Sequence, residues 1–219
     1  MAKIYRISLV LNICIVLLVT IGSIFMFTGF KFMPDETLLE ANNLSMFRSY
    51  TVDSNILMGI VSLIFIVYEI KFVNNKIKEI PNWVYILKYV GTSGIMLTFI
   101  TTAFFLAPLY GFYAMYNNNN LFFHLMVPVL SIISYIFYEK HSNNYKYAFL
   151  GIIPMFVYSI YYTSRILINI NNGGLTFKYD FYGFSQGDLR NIIIVIPLIY
   201  LVSYLIAVLL IFFNKRLSK

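Results

Sequence analysis

Cysteine occurs once, as Cys14 inside an apolar run. That excludes an intramolecular disulfide and a cysteine-based metal cage. Charge is scarce too: Asp, Glu, Lys and Arg make up 11% of the 219 residues, where a soluble domain carries about a quarter. No Gly-rich phosphate loop, H-E-x-x-H pair, Cys/His ligand spacing or G-x-S-x-G elbow occurs. Nucleotide-driven, zinc-protease and α/β-hydrolase chemistry therefore lack their signatures. Neither a metal nor a cofactor is expected, because a zinc site takes about three or four ligands and the candidate cluster described below offers a single His and a single Asp.

What the chain has instead is apolar length. Six runs long enough to cross a bilayer, over residues 5–30, 52–72, 83–110, 121–138, 147–168 and 191–213, alternate with polar connections. Each must be helical, because a lone strand in lipid exposes unpaired backbone groups. The expected fold class is all-α: a polytopic integral membrane protein with one transmembrane domain, 1–219, built as a six-helix bundle. The two halves show no similarity of the kind that marks transporter repeats.

Basic residues fall on every second loop. Lys3 and Arg6 precede the first span, and Lys71, Lys76 and Lys78 follow the second. Lys140 and Lys146 follow the fourth, and Lys215, Arg216 and Lys219 the sixth. The other loops hold Lys31, Arg48, Lys178 and Arg190, and the run Asn117 to Asn120 holds none. Positive charge marks the cytoplasmic side, so both termini are expected inside a cell membrane. The net charge of +7 is spread over these short loops rather than gathered into one stripe, so no nucleic-acid partner is expected. Lys3 and Arg6 before an apolar stretch resemble a signal peptide, but the stretch exceeds an h-region and no small-residue cleavage site follows. It reads as a retained first span. Abundant Asn, Ile, Lys, Tyr and Phe point to an A+T-rich, bacterial genome.

Polar side chains inside the spans recur at helical spacing. His124, Pro128, Ser131 and Tyr135 form one stripe, Pro154, Tyr158, Tyr161 and Arg165 a second, and Thr51, Asn55, Gly59 and Ser62 a third. Lipid cannot hydrogen-bond such groups, so these faces turn inward. Packing by small and polar residues accounts for much of the pattern. The proposed orientation, however, puts Thr51, Asp53, Asn55, His124 and Arg165 at one depth, near the outer surface.

Each candidate has a plainer alternative. His124 is either a functional intramembrane imidazole or an interfacial histidine bonded to a neighbouring carbonyl. Thr51 and Asp53 stand where helix caps stand, and Arg165 where a side chain snorkels to headgroups. Glu69 is expected to pair with Lys71 at the inner boundary, and His141 to be solvated. Tyr179 to Phe184 is expected to form an interfacial belt or to fold over the bundle mouth.

Three segments carry a resemblance. F-R-S-Y-T-V-D-S-N-I-L (Phe47 to Leu57), F-H-L-M-V-P-V-L (Phe123 to Leu130) and I-P-M-F-V-Y-S-I-Y-Y-T-S-R (Ile153 to Arg165), the last followed by the aromatic loop, resemble bacterial members of the androgen-induced and androgen-dependent TFPI-regulator superfamily of six-helix membrane proteins. The match spans the second to fifth helices. Animal members hydrolyse fatty acid esters of hydroxy fatty acids with a membrane Thr and a membrane His. The resemblance implies those roles for Thr51 and His124, with a membrane lipid or lipid-like ester as substrate. In that chemistry the imidazole removes the Thr proton during attack. Asp53 would orient the ring, and Asn55, Arg165 or helix N–H groups would stabilise the oxyanion, with Tyr158 in support. The alternative is a small transporter, channel or lipid-binding accessory protein. A path of that kind needs polar groups through the full thickness, and the inner half is expected to supply little beyond Glu69.

Overall fold

The computed structural model describes residues 2–34, 43–139 and 144–217. Lys140, His141 and Lys219 fall outside these residues. Six helices are long and apolar enough to cross a membrane: α1 (Ile4–Thr28), α2 (Tyr50–Val73), α3 (Asn82–Tyr110), α4 (Asn118–Tyr138), α5 (Tyr145–Ile168) and α6 (Leu189–Leu217). No strand occurs among the described residues. The chain is thus an all-α six-helix bundle with the character of a multi-pass membrane protein. Its outward faces are apolar, for example Val10, Leu17 and Ile24 on α1 and Leu198, Leu201 and Leu205 on α6.

Helix α1 packs on α2 and α2 on α3, while α3 also meets α4, α5 and α6 and is the most enclosed span. At mid-depth Ile15, Met58, Ile95 and Val127 from α1 to α4 form a fully buried apolar layer. Hydrogen bonds then identify the two ends. The Asn12 amide of α1 reaches the Glu139 carboxylate, and the Asn214 amide of α6 reaches the Glu139 carbonyl. The first and last helices therefore bring their terminal ends to the same side, here the termini end. The long connections after α1 and α5 lie at the other, the loop end.

Two prolines shape the loop end. In α3 a π-helical turn (Thr102–Leu106) ends just before Pro108, and in α4 another (Phe122–Met126) ends just before Pro128. Proline offers no N–H to the carbonyl four residues back and crowds it. Widening the preceding turn to i→i+5 bonding accommodates both effects. Helix α3 then stops at Gly111, whose φ of +95° suits glycine. A third π turn (Ser134–Tyr138) closes α4 at the termini end.

The position of α4 depends on one close approach. A Cβ on Gly22 of α1 would lie 2.7 Å from the Phe123 ring, and Phe123 is fully buried beside His124. Gly22→Ala should therefore lower the thermal unfolding temperature in detergent, because the ring must shift. Combined with Phe123→Leu, the same change should instead add up to about 1 kcal/mol of helix propensity.

Candidate functional site

The start of α2 is held by the loop between α5 and α6. A helix begins with backbone N–H groups that lack intrahelical partners. Ser49 occupies the cap position without a side-chain cap bond. Instead, the Tyr50 N–H donates to the Tyr182 hydroxyl at 2.9 Å, and the Ser49 hydroxyl lies 3.1 Å from the same oxygen. The Tyr182 phenol also sits against Thr51, and burial raises its pKa above the ordinary phenol value. Neither Thr51 nor Asp53 caps the helix; a tyrosine from a distant loop does.

That loop is fastened by Asp180. Its buried carboxylate accepts from the Phe184 N–H at 2.9 Å, the Ser185 N–H at 3.0 Å, the Ser185 hydroxyl at 2.5 Å and the Tyr162 hydroxyl. Tyr182 stacks on Phe184 with centroids 5.3 Å apart and meets Tyr158 and Tyr162 at 6.2 and 6.1 Å. Of the two expectations for Tyr179 to Phe184, the segment follows the second: it folds over the mouth of the bundle.

His124 is 8% exposed, within the π turn before Pro128. Its Nδ1 lies 2.7 Å from the Met115 carbonyl oxygen, and its ring meets Tyr116 edge-on. A carbonyl only accepts, so Nδ1 carries the hydrogen and, in the neutral ring, Nε2 keeps its lone pair. The Met115 carbonyl thus takes the orienting position that the sequence reading assigned to Asp53. Asp53 is half-buried on α2, close to Tyr50 and Tyr158.

Asn55 joins the two helices. Its amide nitrogen donates to the Thr51 carbonyl at 2.7 Å and to the Phe123 carbonyl at 3.1 Å. Both amide hydrogens are thereby used, so Asn55 positions the helices and has no N–H left for an oxyanion. Its Oδ1 is buried without a hydrogen-bond partner. Thr51 and the residue preceding His124 are thus held by one side chain, although no hydrogen bond joins the Thr51 hydroxyl to the imidazole among the described residues. Tyr158 donates to the Arg48 carbonyl at 2.7 Å. Arg165 donates to the Tyr161 hydroxyl and the Lys178 carbonyl at 3.3 and 3.2 Å, which ties it to the loop rather than to Thr51 or His124.

The termini end departs from expectation. Glu69 does not pair with Lys71. It is fully buried, while Lys71 is exposed over the Tyr68 ring. Sequence reasoning passed over Lys88 of α3, which is fully buried with its ammonium on Asn12 Oδ1, on Ser62 Oγ at 2.9 Å and on Glu139 Oε1 at 3.4 Å. Glu139 Oε1 also accepts from the Ser134 hydroxyl at 2.6 Å and the Asn12 amide at 3.3 Å. The termini half of the bundle is therefore rich in polar groups, and between α1 and α4 an apolar layer separates them from the loop-end set. A lysine near the sixth position of an apolar run was the available signal, since a charge there is stable only when paired. Among the described residues no group of three or more His, Cys, Asp or Glu could hold a metal ion.

No family model, no curated protein and no solved structure matches the chain.

Two outcomes follow from these contacts. Tyr182→Phe should remove the helix cap, lower stability by about 0.5–2 kcal/mol and speed hydrogen exchange at the Tyr50 amide. Lys88→Met should cost about 3–5 kcal/mol by leaving the buried Glu139 charge unpaired, whereas Lys88→Met with Glu139→Gln should recover most of that loss in thermal unfolding.

Proposed function

We propose that this protein is an intramembrane hydrolase of lipid esters, with Thr51 as nucleophile and His124 as general base at the loop end. The observation that carries this reading is the His124 tautomer. With Nδ1–H given to the Met115 carbonyl, the opposite ring nitrogen is the one able to take a proton. A hydroxyl is a weak nucleophile until such a base removes its proton in the attack. The segment resemblance to the androgen-induced superfamily assigns the same two residues.

In this mechanism the Thr51 oxygen attacks the ester carbonyl as its proton passes to His124 Nε2. The tetrahedral intermediate collapses to an acyl-Thr51, and the imidazolium returns its proton to the departing alcohol. Water, deprotonated by the same nitrogen, then releases the fatty acid. The Tyr182 oxygen stands where an ester oxyanion would take hydrogen bonds, before the first N–H groups of α2. Displacing Tyr182 would free those donors, each contributing on the order of 3 kcal/mol to the transition state. An open apolar groove of about 380 Å³ between α1 and α2, lined by Val16, Val19, Met46, Ile56 and Ile60 among others, suits an acyl chain. In the proposed orientation both termini are cytoplasmic and the site faces the outer leaflet of a bacterial cell membrane.

The abundance of polar groups at the termini end favours a second reading, a transport path across the bundle. The apolar layer of Ile15, Met58, Ile95 and Val127 argues against it, since it interrupts a polar route between α1 and α4.

Hydrolysis of a fatty acid ester of a hydroxy fatty acid by the purified chain in detergent tests the proposal. Thr51→Ala and His124→Gln should each reduce turnover by about 10²–10⁴-fold while leaving the unfolding temperature near that of the parent. Undiminished turnover in Thr51→Ala would remove that residue from the chemistry.

A further inference from the structure

The buried charges at the termini end do not balance. Lys88 presents three N–H donors and meets three acceptors, Asn12 Oδ1, Ser62 Oγ and Glu139 Oε1. Its ammonium is therefore satisfied as a cation. Glu139 is its counter-charge, with Ser134 and Asn12 donating to the same oxygen. Lys88 is thus satisfied without Glu69, although Glu139 Oε2 is also buried without a hydrogen-bond partner.

Glu69 is left over. It is fully buried, faces Ser8 and Asn12 of α1, Lys88 of α3 and Glu139 after α4, and neither of its carboxylate oxygens has a hydrogen-bond partner. Tyr85 of α3 and Tyr5 of α1 are the remaining titratable groups on this side. Arg6, Lys71, Lys76 and Lys78 are exposed, and Lys140 and His141 lie outside the described residues. Two carboxylates thus face one ammonium in a dry bundle, leaving one uncompensated negative charge. A buried carboxylate with no partner costs several kcal/mol or more, so the group either neutralises or takes a counter-ion.

We infer that Glu69 holds a single monovalent cation, a proton or a sodium ion, in the buried cluster it shares with Lys88 and Glu139. One positive charge restores neutrality; a divalent ion would overshoot it. The apolar layer lies between this cluster and the loop end on the α1–α4 side of the bundle, which favours exchange with the compartment at the termini end. This site is independent of the hydrolase reading, because it shares no hydrogen bond with Thr51 or His124.

Infrared difference spectroscopy of the full chain in lipid nanodiscs, titrated with pH, tests the inference, together with equilibrium binding of radioactive sodium. A proton occupant gives a protonated-carboxyl band at neutral pH in both sodium and choline buffers. The band should be lost in Glu69→Gln, and lost or much weakened in Glu139→Gln, where one carboxylate faces one ammonium and the charge already balances. A sodium occupant gives stoichiometric sodium binding, and the band emerges only in choline buffer; both should vanish in Glu69→Gln. Should Glu69→Gln fail to accumulate, Glu69→Asp serves, with a shifted band or weakened sodium binding expected. Absence of both the band and bound sodium in the parent protein overturns the inference. A band or sodium binding that survives Glu69→Gln, or that is unaltered in Glu69→Asp, does so as well.

Discussion

The apolar surroundings of the bundle govern this structure. Lipid offers no hydrogen bonds, so every polar group between the helices must be matched by another part of the same chain. Asn55 meets that demand by spending both amide hydrogens on carbonyls of two different helices. Asn214 does the same at the other end, donating to the carbonyls of Tyr135 and Glu139. The polar residues are thus the sutures of a bundle whose apolar surfaces alone would not choose a register, since lipid tails are as apolar as the helices.

The spans were legible in the sequence because hydropathy over about 20 residues is a summed property that tolerates local irregularity. The six expected runs and the six helices differ by only a few residues at each end. The inward placement of His124, Ser131, Tyr135 and Tyr158 was legible from helical spacing, but Tyr161 of the same stripe is exposed and its neighbour Tyr162 is buried instead. Specific partners were not. Nothing local tells Tyr182 to cap a helix that begins 132 residues earlier, or Asp180 to accept from Tyr162 and from its own following turn. Glu69 was misjudged because Lys71 is near in sequence, yet two positions along a helix point to different sides. Lys88 was hidden by the apolar average of its run. The role of Pro128 was visible in outline only: a proline announces a disturbed turn, but not that the turn becomes the seat of His124.

One face of α2 connects the whole. Thr51, Asn55, Ser62 and Glu69 recur at steps of four and seven, which keeps them on one side of a helix. Eighteen residues at about 1.5 Å each place Thr51 and Glu69 roughly 27 Å apart along the axis. The stripe is interrupted by Met58, which belongs to the buried apolar layer. A single helix therefore serves two polar regions with an apolar layer between them.

The Tyr182 hydroxyl amounts to a latch. It ties a surface segment to the first turn of α2 through a bond whose net worth in a protein is only about 1 kcal/mol, with ring contacts adding a comparable amount. A guest that offers a carbonyl or anionic oxygen to the same amide would compete with the phenol for it.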